Sequence, residues 1–186
     1  GFIVPPIQGL WFNFALITAL YAVGTIFLFR ALQEIEASEA TVVTSSSALW
    51  TIIVALIFLD ESFDLLKILG VVFVLGSVAL VSLRKEIVRF NRGTLYALGS
   101  AFCYGVAFAN DTFILRQSDA LSYLTLAFLF PGLIILAINP KVIKELKMLL
   151  NPLVLFKMAL LSLFYSASAI AIYLAYQQGG TASQLA

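Results

Sequence analysis

The sequence predicts an all-α membrane protein, a polytopic helical bundle. Of its 186 residues, 62% are hydrophobic and only 11% are charged, whereas a soluble domain is about half apolar and about a quarter charged. Apolar runs of about 20 residues recur, which is the length that a helix needs to cross a bilayer core of about 30 Å. These runs are too long and too uniformly apolar for barrel strands, so we expect helices that satisfy their own backbone groups inside lipid.

Six membrane spans are predicted, separated by turn-forming residues. Asn139-Pro140 marks the end of the fifth span and Asn151-Pro152 the start of the sixth, because proline and asparagine punctuate helices in this way. The predicted ranges are 9–31, 40–59, 65–83, 94–115, 121–138 and 153–176. The segment 141–150 has lysines opposite apolar residues and is predicted to lie along the membrane surface.

Lysine and arginine are distributed unevenly between the two predicted sides of the membrane. The loops after the second and fourth spans carry only Lys67 and Arg116. The other nine basic residues belong to the loops after the first, third and fifth spans, with their flanks: Arg30, Arg84, Lys85, Arg89, Arg92, Lys141, Lys144, Lys147 and Lys157. The positive-inside rule therefore predicts that these three loops are cytoplasmic.

A weak internal repeat relates the first and sixth spans at an offset of 144 residues. The aligned pairs are Thr18 with Ser162, Tyr21 with Tyr165, Ala31 with Ala175, and Gln33 with Gln177. A unit of that length holds five spans, and an odd number of spans inverts the second copy, as in many secondary transporters. We therefore expect the middle of a ten-helix protein of about 280 residues; a natural six-helix protein and chance similarity are the alternatives.

The repeat predicts three parts in this chain. Residues 1–83 would hold the last three helices of the first unit, 84–92 a basic linker, and 93–186 the first three helices of the second unit.

The composition excludes several classes of site. There is no histidine, and the single Cys103 cannot form an internal disulfide or a thiolate metal site. An intramembrane enzyme would need a histidine or a cluster of acids within the spans. The net charge of +1 gives no reason to expect a nucleic-acid partner, and no P-loop is present. We therefore expect no enzyme activity, no metal, no cofactor and no nucleic-acid partner.

The first and sixth spans each carry a polar stripe. The stripes are Thr18, Tyr21, Ala22, Thr25, Phe29 and Gln33 in one span, and Ser162, Tyr165, Ser166, Ala169, Tyr173 and Gln177 in the other. Steps of three or four residues place each set on one helix face. We predict that the stripes face each other across a central pore. The substrate-binding residues among them are Tyr21, Thr25, Gln33, Tyr165, Ser166, Tyr173 and Gln177. The alternative is hydrogen bonding between packed helices.

The second span begins with hydroxyl residues and carries a deep tryptophan. Ser45, Ser46 and Ser47 cannot share one face, so some must bond to carbonyls one turn earlier, which can bend the helix. The alternative is a helix start that simply packs against the preceding hinge. Trp50 is too deep for the interfacial aromatic belt and is predicted to line the substrate cavity.

Asn110 and Asp111 form the most polar pair inside any span. An intramembrane carboxylate is costly and is by default a functional-site hypothesis. We predict that Asp111 binds a coupling proton or cation, or pairs with a cationic substrate, and that Asn110 binds substrate. The alternative for Asp111 is an interfacial ion pair with Arg116. On the same span, Ala97, Ala101, Gly105 and Ala109 form a small-residue ridge that favours close helix packing.

The stretch Leu28–Leu83 contains the hinge Ala31–Ala40, the acidic step Asp60-Glu61, and the glycines Gly70 and Gly76. On these features the chain resembles the EamA-type transporters of the drug/metabolite transporter superfamily over nearly its whole length, and most closely in this stretch. The resemblance implies a multi-pass secondary transporter of the plasma or inner membrane, an exporter or exchanger. The substrates would be small metabolites, amino-acid-like compounds or drugs, moved by alternating access with a proton or cation gradient.

The resemblance has two further implications. The aromatic Tyr104, which follows the small-residue run Gly99–Cys103, is implied to bind substrate, and Asp60-Glu61 is interpreted as a hinge. Family members usually keep their amino end in the cytoplasm, which would place the basic loops outside and conflicts with the charge count.

Three alternatives to this function remain open. A nucleotide-sugar or phosphate exchanger of the same superfamily would need several cationic residues at the cavity, and only Arg30 and Arg116 lie near it. An intramembrane enzyme and a structural membrane module are the alternatives from other classes.

Overall fold

The computed structural model describes residues 9–59, 65, 68–73, 76, 91–141, 143, 147–148 and 151–180. Within these ranges there is no strand. The helices are α1 (Trp11–Glu34), α2 (Ala37–Thr44), α3 (Ser47–Phe58), α4 (Arg92–Leu115), α5 (Ala120–Ile138) and α6 (Pro152–Gln177). The predicted all-α fold is therefore confirmed.

Some predicted segments lie largely outside the described residues. Of the predicted span 65–83, the structure describes helical residues at 65, 68–73 and 76. The acidic step Asp60-Glu61, most of the linker 84–92, most of the surface segment 141–150, and the repeat residues after 180 are not among the described residues.

Within the described part of the chain, five stretches are long and apolar enough to cross a membrane, counting α2 and α3 together as Ala37–Phe58. The predicted bounds of these spans agree with the structure to within three residues. Side-chain caps explain several of the starts. Asn91, Asp119 and Asn151 each accept a hydrogen bond from a backbone N–H in the first turn of α4, α5 and α6, which satisfies donors that the helix leaves free.

The predicted single helix 40–59 is wrong in one respect, because the chain breaks it at Ser45-Ser46 into α2 and α3. The hydroxyl of Ser45 donates to the carbonyl of Thr41 at 2.8 Å, and that of Ser46 to the carbonyl of Val43 at 2.7 Å. These bonds compete with the helical ladder. The predicted back-bonding is therefore confirmed, and it coincides with a two-residue turn between α2 and α3.

α4 is the central helix and packs through its small residues. Ala97 and Ala101 are fully buried. A Cβ at Gly105 would lie 2.4 Å from the Cβ of Trp50 and 2.6 Å from the carbonyl of Ser47, so α3 crosses α4 at backbone contact. The hydroxyl of Thr51 donates to the carbonyl of Gly105 at 3.1 Å. The ridge predicted on α4 is thus a packing surface.

The helix ends form two groups. At one end Leu10, Leu59, Leu115 and Tyr176 lie in one apolar cluster, which brings together the start of α1 and the ends of α3, α4 and α6. At the other end Ala31, Ile35, Ala40, Val43 and Ala97 pack together. The connection 116–119 and residues 178–180 therefore lie at the same end of the bundle.

Candidate functional site

Asp111 lies near the end of α4 and is completely buried. Its carboxylate accepts hydrogen bonds from the hydroxyls of Tyr21 on α1 and Tyr123 on α5. The hydroxyl of Tyr173 on α6 also donates to it, at 2.8 Å. We call these four residues the Asp111 cluster. Three helices, α1, α5 and α6, therefore meet at one carboxylate of the central helix.

The hydrogen bonding of Asp111 suits an ionised carboxylate, which only accepts. Burying such a charge is costly unless it is paired or well hydrogen-bonded. Here three hydroxyls supply the hydrogen bonds. Arg116, the predicted alternative partner, is exposed, and among the described residues no lysine or arginine forms an ion pair with Asp111. The interfacial ion pair is therefore not what this structure contains.

The two polar stripes meet at Asp111. The hydroxyls of Tyr21 and Tyr173 are 3.5 Å apart, whereas the sequence predicted that the stripes face each other across a pore. In this conformation the carboxylate of α4 draws the two hydroxyls together. The structure thus describes a closed contact between α1 and α6 at this level.

Tyr104 and Thr25 extend the polar contacts away from Asp111. The hydroxyl of Thr25 and that of Tyr104 form a hydrogen bond of 3.0 Å. The Tyr104 ring lies 5.9 Å from the ring of Tyr21 and stacks on Phe108 at 6.3 Å. Two of the predicted substrate-binding residues are therefore joined to the Asp111 cluster through the Tyr21 ring.

Asn110 lies on a different face of α4 from Asp111. The side-chain amide of Asn13 donates to the Oδ1 atom of Asn110 at 2.6 Å, and the amide of Asn110 donates to the carbonyl of Asn13 at 3.1 Å. The pair borders a cavity of about 450 Å³ whose other lining is apolar, including Leu16, Val54 and Phe58.

Five other predicted substrate-binding residues form no hydrogen bond with the Asp111 cluster. Gln33 is exposed, about 18 Å along α1 from Tyr21 by helical rise. Trp50 contacts Phe102 edge to face at 5.0 Å. Tyr165 and Ser166 are exposed on α6.

The fifth, Gln177, is exposed, and its amide donates to the carbonyl of Ser118 at 3.2 Å. The proposed binding roles of these five residues stay predictions. Arg30 is also exposed, and its guanidinium lies 5.7 Å from the Tyr96 ring centre, an arrangement typical of a cation resting on an aromatic face.

Sequence reasoning missed Tyr123 and Asn13. Tyr123 stands in an apolar span without a polar stripe around it, so periodicity did not single it out. The available signal was chemical, since a buried tyrosine hydroxyl usually has a hydrogen-bond partner and Asp111 is the acid of the preceding span. Asn13 carried a similar signal as an amide within the first span.

A polar pocket of about 820 Å³ lies where α4 and α6 end. We call it the end pocket; its lining residues are Thr112, Leu115, Arg116, Gln117, Ser118, Tyr176, Gln177, Gln178, Gly179 and Gly180. The Oγ atom of Ser118 is buried and has no hydrogen-bond partner among the residues that the structure describes. Gly179 adopts a φ of 96°, a conformation that glycine tolerates better than other residues.

The Asp111 cluster offers a single carboxylate. No group of histidines, cysteines or acids that could hold a metal ion occurs among the described residues. One carboxylate with three neutral hydroxyls has the chemistry to hold a proton, a monovalent cation or an ammonium group, because the hydroxyl oxygens can also accept.

The fold and the site define a multi-pass helical membrane protein with one buried carboxylate at the meeting point of four helices. Residues 2–83 match the model of the EamA-like transporter family. This confirms the resemblance to EamA-type transporters over that range. No curated protein and no solved structure matches the chain. Asp111 lies outside the matched range.

Proposed function

We propose that the protein is a secondary transporter of small metabolites, amino-acid-like compounds or drugs that works by alternating access, with Asp111 as its coupling site. The observation that carries the proposal is the completely buried carboxylate with hydroxyl donors from three helices. Ionisable groups inside membrane spans typically mark ion or substrate pathways.

The hydrogen bonds of Asp111 suggest how binding and movement are coupled. When the carboxylate is ionised, it accepts from Tyr21, Tyr123 and Tyr173 and ties α1, α5 and α6 to α4. A bound proton turns one acceptor oxygen into a donor. A bound cation or ammonium group would compete with the hydroxyls. Either event weakens these hydrogen bonds and favours movement of α1, α5 and α6 relative to α4.

The aromatic residues beside Asp111 suit the organic part of a substrate. The rings of Tyr21, Tyr104 and Phe108 lie within about 6 Å of one another, and aromatic faces bind both apolar groups and organic cations. The match to a transporter family supports transport as the activity. Its end at residue 83 supports the predicted end of the first repeat unit.

The test is transport by the full-length protein in proteoliposomes with an imposed pH gradient, using a panel of labelled amino acids, amines and organic drugs. Asp111→Asn keeps the size of the side chain and removes the titratable group. For any compound transported, we expect it to lower gradient-driven transport at least about tenfold and to abolish the dependence on pH.

Asp119→Asn is the matched control, because Asp119 is the acid at the exposed connection before α5 and an asparagine keeps its capping role. It should transport like the unmodified protein. A folded Asp111→Asn variant with unaltered pH dependence would overturn the coupling role, and a lack of transport of every compound by the unmodified protein would count against the transporter itself.

A further inference from the structure

The end pocket lies directly beside Asp111 along α4. Thr112, the next residue, and Leu115, one helical turn further on, both line the pocket. Residues four apart lie on the same helix face, so the wall formed by Leu115 continues the face that carries Asp111. The carboxylate itself is completely buried, so other side chains must separate it from the pocket.

Tyr176 is the side chain between the pocket and the cluster on the α6 side. It lines the pocket and is 7% exposed. Its ring lies 6.3 Å from that of Tyr173, and the hydroxyl of Tyr173 donates to Asp111. One chain of contacts from the pocket to the carboxylate therefore passes through Tyr176 and Tyr173.

The lining of the pocket has the composition of a water-holding space. Most of its residues are polar, and they carry amides, hydroxyls and one guanidinium. Water occupies cavities that are roomy and offer several polar partners. By contrast, the cavity next to Asn110 is lined mainly by apolar side chains. The end pocket is thus the more polar of these two cavities beside α4.

One hydrogen bond holds the end of α6 over the pocket. The amide of Gln177 donates to the carbonyl of Ser118 at 3.2 Å, and Gln177 follows Tyr176 directly. This bond joins α6 to the connection between α4 and α5. Its loss would let the last turn of α6, and with it the Tyr176 ring, move away from the cluster.

We propose that the end pocket is the aqueous entrance through which a proton or small cation reaches Asp111, and that Tyr176 closes this entrance in the present conformation. The inference rests on the proposed function for its purpose, but the entrance itself is a statement about access to water. The guanidinium of Arg116 stands at the pocket. It is exposed, so salt and water screen its charge.

The test is chemical labelling of a cysteine at the buried position. Cys103 is the one cysteine of the chain, so Cys103→Ala gives a thiol-free background. In this background, Asp111→Cys in membrane vesicles is reacted with a water-soluble methanethiosulfonate reagent that carries a trimethylammonium group. Adding Tyr176→Ala should raise the labelling rate about tenfold, because the rate follows the population of the open form.

Phe164→Ala is the matched control, since it removes an aromatic ring from the same helix at a position that is 65% exposed. It should leave the rate within about twofold of the parent. Equal rates in the Tyr176→Ala and Phe164→Ala variants would overturn the proposal.

Thr112→Cys provides a second position in case Asp111→Cys does not fold. Thr112 lines the pocket but is only 3% exposed, so Tyr176→Ala should raise its labelling rate as well, and no increase would contradict the entrance. Labelling needs no transport. If labelling follows the prediction while Asp111→Asn leaves transport unaltered, the entrance stands and the coupling role does not.

Discussion

Asp111 shows how far residue-level reasoning reaches. Its position inside a span identified it from the sequence, and its neighbours Tyr21 and Tyr173 were already part of the two polar stripes. Their meeting point could not be predicted, because helical periodicity gives the face of one helix and not the contact between two. Tyr123 was not predicted as a partner of Asp111, because a single tyrosine in an apolar span forms no periodic pattern that would mark its helix face.

The first prediction concerns the donors to this carboxylate. Tyr123→Phe removes one hydroxyl and leaves the buried carboxylate with a missing hydrogen bond, which costs about 1–3 kcal/mol of stability. Thermal unfolding of the purified protein in detergent measures the loss. Tyr165→Phe serves as the control, because the Tyr165 hydroxyl forms no hydrogen bond among the described residues, and this variant should unfold like the parent. Equal midpoints for the two variants would show that the bond contributes nothing.

The second prediction concerns the cap of α5. The backbone N–H and the hydroxyl of Ser122 donate to Asp119 and hold the pKa of its carboxyl below the usual value. A carboxyl whose pKa is lower in the folded state contributes stability above its unfolded pKa, and this contribution is lost as the pH falls through the lowered value. We therefore expect the first turn of α5 to loosen below about pH 4.

Hydrogen exchange of the α5 amides as a function of pH measures this loosening. Asp119→Asn keeps a capping side chain without a titratable group, so its exchange should lack the additional acid-dependent step. An identical acid response in both proteins would contradict a role for the ionised cap.

At the scale of the elements, the sequence predicted only part of the break between α2 and α3 and only part of the packing of α4. The run of hydroxyl residues at 44–47 predicted competition with the helical ladder but not whether the helix would bend or stop. The small residues of α4 predicted close packing but not the partner. Gly105 meets the backbone of α3, and that pairing depends on how all the helices are arranged.

The third prediction tests that crossing. Gly105→Ala places a Cβ 2.4 Å from the Cβ of Trp50 and 2.6 Å from a backbone carbonyl, and backbone cannot yield as a flexible side chain can. Overpacking of this kind costs about 1–3 kcal/mol, so the unfolding temperature should fall. Gly132→Ala is the control, because an added Cβ there meets no atom within 4 Å and alanine favours a helix.

The result of this comparison is clear in either direction. A Gly105→Ala variant as stable as Gly132→Ala would mean that α3 does not approach α4 so closely.

For the whole molecule, composition and run length were enough to predict a bundle of membrane helices and the bounds of most of them. The match of residues 2–83 to the EamA-like transporter family is independent support for the resemblance seen in the sequence. The orientation in the membrane was not settled by the sequence. The distribution of basic residues predicts that the basic loops are cytoplasmic, whereas the orientation usual for the family would place them outside. Among the described basic residues, Arg30, Arg92 and Lys141 lie at one end of the bundle and Arg116 lies at the other.

The fourth prediction concerns this orientation. By the positive-inside rule, the end of the bundle that carries Arg116 faces outward and the end that carries Lys141 faces the cytoplasm. In the Cys103→Ala background, a membrane-impermeant maleimide should label Arg116→Cys in intact cells and Lys141→Cys only after permeabilisation. The reverse pattern would show that the orientation usual for the family applies and that the local charge bias is misleading.

The Asp111 cluster also has a consequence for how the protein is made. Tyr21 precedes Asp111 by 90 residues, Tyr123 follows it by 12 and Tyr173 by 62. During synthesis from the amino end, α1 and α4 are therefore in the membrane well before α6 arrives with the third hydroxyl. The carboxylate must persist through insertion with an incomplete set of donors, and the arrival of Tyr173 marks the moment at which this part of the bundle can complete its assembly.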